Sequence, residues 1–223
     1  MVAFFIGCSN VNNPMAPSKS AMPQSPTKGN VKTVADSYTS GTDHGWWWSL
    51  YYSGGSCSIS FPYAGTYAGN FQVNWSNCND AGGGKGYSTG SGQTVNYNCG
   101  WISGYNVFGV YGWTTNPLIE YYITEMGSQT GTYVGSFSSD GRTYSVYKHQ
   151  QVNQPSIQGT TTFWQYFSVW GGASTGKNYS ITTTNHFNYW KAHCGQGFGS
   201  YNYMKLNAEA WGHQTGGVNA TIW

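Results

Sequence analysis

The sequence predicts an all-β sandwich carrying one short helix. Three observations point there. From about Tyr38 onward, Thr, Val, Tyr and Trp alternate with Gly, Ser and Asn, the residue types and period of half-buried strands. Turn signals recur at Ser53-Gly54-Gly55, Asp80 to Gly84, Ser139-Asp140-Gly141 and Gly171-Gly172. One stretch alone, Asn185 to His193, has helical spacing, with Phe187 and Trp190 three apart on one side.

Residues 1–35 come first and stand apart. Four of the seven prolines lie there, among Ser, Lys and Asn, a composition that cannot build a core. The expectation is a flexible tail or an export or linker remnant, followed by one domain over residues 36–223. The short apolar run Val2 to Ile6 ends at Gly7-Cys8 and admits either an export remnant or a lipid attached through Cys8.

Within the domain, Phe71-Gln72-Val73-Asn74-Trp75-Ser76 and Thr143-Tyr144-Ser145-Val146-Tyr147 alternate cleanly as strands. In Leu118 to Glu125, parity groups Ile119, Tyr121 and Ile123 on one face and Glu120, Tyr122 and Thr124 on the other. In Tyr203 to Trp211, Met204, Leu206, Ala208 and Ala210 form an apolar face. Tyr203, Lys205, Asn207, Glu209 and Trp211 form a polar-aromatic one. The helix is expected to start with Asn185 as its cap.

Composition narrows the function. Charged residues make up 7% of the chain, against about a quarter in an average protein. Aromatics reach 18%, with 19 Tyr and 11 Trp. Surplus rings with many amides and hydroxyls suit sugars, whose apolar faces stack on rings. From Asp36 onward six basic residues meet seven acidic ones, a balance of −1 that excludes a basic nucleic-acid surface. No apolar run approaches the roughly 20 residues of a membrane span. Five cysteines without CxxC spacing argue against zinc and leave disulfide pairing open. Neither a metal nor a cofactor is expected.

The seven acids can be sorted. Asp36 and Asp43 lie near the tail, Asp140 sits in an Asp-Gly turn, and Glu125 falls on the parity opposite to Glu120. Glu120, Glu209 and Asp80 remain. Hydrolysis of a glycoside needs two carboxyl groups, one of them protonated at the working pH. A solvent-facing glutamate would have the same parity, so alternation leaves both readings open.

At this point the residues resemble a known family. Gly69-Asn70-Phe71-Gln72-Val73-Asn74-Trp75-Ser76-Asn77, Gly84-Lys85-Gly86 and Tyr111-Gly112-Trp113 through Glu120-Tyr121-Tyr122 carry the resemblance. So do Asn153-Gln154-Pro155-Ser156-Ile157, Gln165-Tyr166-Phe167, Asn185-His186-Phe187-Asn188 and the closing Asn219-Ala220-Thr221-Ile222-Trp223. In order and spacing they are similar to the glycoside hydrolase family 11 endo-1,4-β-xylanases, over roughly Gly45 to Trp223.

The resemblance implies a β-jelly-roll, a sandwich of two curved antiparallel sheets with one short helix. It implies Glu120 as nucleophile and Glu209 as general acid/base, with retention of configuration and carboxyl groups about 5–5.5 Å apart. Asp80 matches the residue beside the acid/base whose carboxylate accompanies an acidic optimum. Tyr51, Tyr111, Trp113, Tyr122, Gln165 and Tyr203 match cleft positions, and Pro155 the tip of the thumb loop. Xylan and xylo-oligosaccharides are the expected partners of a secreted, monomeric enzyme. The chain departs from the family's usual pattern at Tyr51, where Trp is usual, and at Gln151, where Arg is frequent. Val107 and Glu209-Ala210-Trp211 depart as well. Two rivals stand beside this reading. One is a non-catalytic carbohydrate-binding sandwich, for which rings suffice. The other is an endoglucanase of similar shape.

Overall fold

A computed structural model describes residues 37–62 and 67–223. The expected tail over residues 1–35 and the Cys8 attachment site lie outside the described residues. Twelve strands and one helix follow in order: β1 (Ser37–Asp43), β2 (Trp46–Ser53), β3 (Ser56–Ser60), β4 (Asn70–Tyr87), β5 (Thr94–Ser103), β6 (Val107–Thr115), β7 (Ile119–Gly127), β8 (Thr132–Ser139), β9 (Arg142–Ser156), β10 (Gly159–Val169), β11 (Asn178–Thr182), α1 (Thr183–His193) and β12 (Ser200–Ile222).

Nine strands form one layer in the order β1-β2-β4-β12-β6-β7-β10-β9-β8. The second layer is built from β3, β5 and β11 together with the far halves of β4 and β12. β4 pairs with β2 through Asp80–Gly86 but with β3 through Gln72–Ser76. β12 pairs with β6 through Ser200–Glu209 and with β5 through Gly217–Ile222. Register shifts between Trp211 and Gly216, with Asn77, Gly212 and His213 at positive φ, bend both strands where they change partners. The expected two-layer antiparallel sandwich is therefore present, with one exception. β10 runs parallel to β7, pairing Gln165 with Glu120 and Phe167 with Tyr122.

Parity reads through to packing. Ile119, Tyr121 and Ile123 of β7 and Met204, Leu206, Ala208 and Ala210 of β12 are fully buried in the core, with Phe71, Val73 and Trp75. Burial of that many large apolar side chains is the main stabilising contribution, at roughly 1.5–3 kcal/mol for each. A second aromatic cluster, including Tyr111, Trp113, Tyr122, Phe163, Phe167 and Tyr203, covers the other face of the nine-stranded layer.

Two acids that sequence sorting set aside prove structural. Asp140 and Gly141 have φ of 53° and 73° and join β8 to β9, as a two-residue hairpin turn with both φ positive requires. Glu125 is buried in the core, 2.6 Å from the Arg142 guanidinium, and accepts hydrogen bonds from Tyr97 and Tyr144. Burial raises its pKa, against the opposing pull of Arg142.

The helix corrects one expectation. It begins at Thr183, and Asn185 lies inside it, donating to Ser139 Oγ at 3.0 Å instead of capping. No side chain caps the helix, and Asp140 instead anchors the residue before it, accepting from the Thr182 amide at 2.9 Å and from the Thr182 hydroxyl at 2.6 Å. Phe187 and Trp190 are buried against the sheet as their spacing predicted. Cys57, Cys78, Cys99 and Cys194 are free thiols, and burial pushes those of Cys57, Cys99 and Cys194 up to about 12.

Candidate active site

The aromatic face of the nine-stranded layer carries a cavity, and its floor is made by an absence of side chains. Gly82, Gly84 and Gly86 share the cleft parity of β4, so this strand contributes only backbone there. A Cβ on Gly84 would run into the Leu206 carbonyl. Neighbouring strands supply the walls: Tyr51 and Ser49 from β2, Tyr111 and Trp113 from β6, and Tyr203, Lys205, Asn207 and Glu209 from β12. Pro155, Ser156 and Ile157, at the tip of the β9–β10 hairpin, close the space from above. That hairpin is held by the Ser156 hydroxyl, which donates to the Gly159 carbonyl at 2.7 Å and accepts from the Gln158 amide at 3.0 Å.

Glu120 rises from β7, 1% exposed, and is surrounded by donors. Oε1 accepts from the Tyr111 hydroxyl at 2.8 Å and the Tyr122 hydroxyl at 3.1 Å. Oε2 accepts from Gln165 Nε2 at 2.6 Å. Two of these donors are themselves oriented. Trp113 Nε1 donates to the Tyr111 oxygen at 2.7 Å, leaving the Tyr111 proton for Glu120. Gln151 Nε2 donates to Gln165 Oε1 at 3.1 Å, which turns the Gln165 amide nitrogen toward Glu120. Burial, then the Glu120 charge, raises the Tyr111 pKa well above that of an ordinary tyrosine, so this hydroxyl stays a donor. Three donors on one carboxyl suit its ionised, acceptor-only form.

Glu209 reaches the same place from β12, also 1% exposed. The Tyr122 hydroxyl stands 3.5 Å from Glu209 Oε1 and 3.1 Å from Glu120 Oε1. One hydroxyl thus reaches both carboxyl groups. A tyrosine carries one proton. If it is given to Glu120, the contact with Glu209 is a hydrogen bond only when Glu209 holds a proton and donates. Asn207 Nδ2 approaches Glu209 Oε2 at 3.4 Å. Three donors reach Glu120 at 2.6 to 3.1 Å, while Tyr122 and Asn207 stand 3.5 and 3.4 Å from Glu209.

The structure brings most of the sequence-predicted residues together. Tyr51, Tyr111, Trp113, Pro155, Tyr203 and Glu209 line the cavity, and Glu120, Tyr122 and Gln165 join it through the hydrogen bonds above. Trp113 is 2% exposed and packs on Phe163 at 4.9 Å. Its nitrogen orients Tyr111. Asp80 is fully buried on β4, two residues before Gly82, which pairs with Glu209. It thus occupies the diagonal position from Glu209 on the same face.

Lys205 and Asn207 are cavity residues that sequence reasoning placed on the right face without assigning a role. Lys205 is 3% exposed and donates to Ser49 Oγ at 3.0 Å, its Nζ lying 5.6 Å from the centre of the Tyr111 ring. The available signal was a cation on the parity of Glu209 in a chain with so few charges. Among the described residues no group of three or more His, Cys, Asp or Glu side chains could hold a metal ion.

Comparison with known proteins follows the same lines. The profile of the family described as glycosyl hydrolases family 11 matches residues 43–221. Endo-1,4-beta-xylanase 2 of Rhizopus oryzae is 40% identical over 192 residues, covering 83% of this chain and 85% of its own. An ethylene-inducing xylanase of Penicillium digitatum is 40% identical over 183 residues, covering 79% and 81%. A solved chain from a structural comparison of two major endo-1,4-beta-xylanases of Trichoderma reesei superposes with a TM-score of 0.68 at 36% identity. It covers 85% of this chain and 99% of that one.

Proposed function

The chain belongs to glycosyl hydrolases family 11, and from that premise we propose that it is an endo-1,4-β-xylanase that works with retention, using Glu120 as nucleophile and Glu209 as acid/base. A sugar unit of xylan enters the cavity between Tyr51 and the Pro155–Ile157 tip. Glu120 attacks the anomeric carbon as the glycosidic C–O bond breaks, and the Glu209 proton goes to the departing oxygen. The product is a glycosyl ester on Glu120. Glu209, now ionised, takes a proton from water, whose oxygen attacks the same carbon and releases Glu120 as a carboxylate.

The observation that carries this reading is the Tyr122 hydroxyl within reach of both carboxyl groups. It supports a close carboxyl pair, the arrangement of retaining enzymes, without the space that inverting ones keep for a water. It supports the division of roles as well, because the donors converge on Glu120. Paired buried glutamates favour catalysis over the binding-module reading, for which no such pair is needed. Asp80 is proposed to couple to Glu209 and to set an acidic optimum. Residues 36–223 are proposed as the catalytic unit of a secreted monomer.

The test is covalent trapping with a 2-fluoro-xylobioside carrying a good leaving group. One fluoro-xylobiosyl unit is expected on the peptide containing Glu120, with none in Glu120→Gln. A label on another residue would refute the nucleophile, and an inverted product anomer by NMR would refute the mechanism. Reducing-sugar release from xylan but not from carboxymethylcellulose separates the xylanase from the endoglucanase.

A further inference from the structure

The cleft face continues beyond the catalytic pair as a ladder of rings in strand register. Tyr122 on β7 pairs with Phe167 on β10, Phe167 with Tyr147 on β9, and Tyr147 with Tyr133 on β8. Residues paired across neighbouring strands share a face, so all four rings lie on the side that carries Glu120. The opposite parity confirms the assignment, since Tyr144 and Val146 of β9 are fully buried in the core between the layers. Ring centroids are 5.6 Å apart between Tyr122 and Phe167 and again between Tyr133 and Tyr147. Exposure rises outward along this row. Tyr122 and Phe167 are buried, Tyr147 is half-buried, and Tyr133 is 59% exposed.

Among the described residues β8 is the edge strand of the layer, with no strand beyond Tyr133. A large exposed ring on an edge strand does little for the core. Two residues along β9 on the same face as Tyr147 is His149, which pairs with Gln165 and is half-buried, its pKa lowered by burial. The imidazole gives hydrogen-bonding capacity on the face that carries the two tyrosines. Three strand spacings separate Tyr133 from Tyr122, about 14 Å, a span of roughly three sugar rings.

We propose that Tyr133, with Tyr147 and His149 beside it, forms a distal sugar-binding shelf that holds the part of a xylan chain extending past β9. The occupant is the substrate itself, because the shelf is continuous, strand by strand, with the face that carries the catalytic pair. This inference rests on the xylanase reading and adds a determinant of substrate length to it. A polysaccharide crossing the strands at Glu120 meets Phe167, Tyr147 and Tyr133 in turn. A chain of two or three sugars bound across the carboxyl pair ends before it reaches Tyr133.

The experiment compares wild type, Tyr133→Ala and Tyr133→Trp on xylotriose, xylohexaose and polymeric xylan. Exposure at position 133 leaves the fold intact, checked by equal urea midpoints. Tyr133→Ala is expected to lose about fivefold in kcat/KM on xylohexaose and xylan, mostly through KM, with the xylotriose value unchanged. Tyr133→Trp is expected to restore the long-substrate value. Equal activity of Tyr133→Ala and wild type on all three substrates would overturn the shelf while leaving the catalytic reading standing. So would an equal loss on all three. Absence of xylan cleavage by wild type would sink the catalytic reading, and the shelf with it.

Discussion

His186 makes the fold sensitive to acid, and the size of the effect can be worked out. Its ring is fully buried in α1, edge-on to Tyr144 at 4.6 Å and Phe137 at 5.0 Å. Neither ring nitrogen has a hydrogen-bond partner. Burial lowers its pKa from 6.5 to about 3, with Asp140 pulling upward and Arg142 pushing downward. A histidine held neutral in the folded state binds its proton first in the unfolded state. The folded state therefore loses stability as pH falls through 6.5, and the loss levels off near pH 3. At 1.36 kcal/mol per pH unit, moving from pH 7.5 to pH 4.5 costs about 3 kcal/mol through this residue alone. The assay is urea unfolding at both pH values for wild type and His186→Leu. An apolar side chain leaves no orphaned nitrogen, so the variant should be within about 2 kcal/mol of wild type at pH 7.5. The wild-type drop between the two pH values should exceed the variant's by about 3 kcal/mol. Identical drops would refute the argument, because the proton would then be taken up elsewhere.

The remaining predictions concern the site. Asp80→Asn removes the carboxyl proposed to couple to Glu209, and the pH optimum on xylan should then rise by about one unit. An optimum that stays in place would make Asp80 a packing residue. Tyr122→Phe removes the hydroxyl that bridges the carboxyl groups at 3.1 and 3.5 Å. Its kcat should fall by about ten- to a hundredfold, at an unchanged unfolding midpoint. An unchanged kcat would show that the bridge has no part in the reaction.

Period-2 patterning made much of this legible, because it depends only on one face of each strand being buried. Ile119 against Glu120 and Ala208 against Glu209 divide core from cleft without knowledge of the pairing. Pairing itself was not legible. Nothing near Gln165 announces that β10 runs parallel to a strand some 45 residues earlier, although this contact brings its amide to Glu120. The helix start was missed for a similar reason. The acceptor that anchors Thr182 before the helix is Asp140, 42 residues away, and no local motif encodes it. Lys205 carried a visible parity but no visible partner, since Ser49 lies 156 residues away. Tyr133 has no local signal of its role either, since only its pairing with Tyr147 places it on the cleft face.

The place of β12 in the sheet has a consequence in time. It comes last among the described strands yet lies inside the sheet, flanked by β4 on one side and by β6 and β5 on the other. Strands β1, β2 and β4 therefore have no route to β6, β7 and β10 until residues 200–222 arrive between them. The β4–β12 pairing closes a loop of more than a hundred residues, and its entropy must be met before that contact stabilises anything. Folding is thus expected to be slow and all-or-none, with the strand that carries Glu209 joining the two halves. Glu120 and Glu209 become neighbours in the same event that completes the sheet, so a partly folded chain has no half-built carboxyl pair.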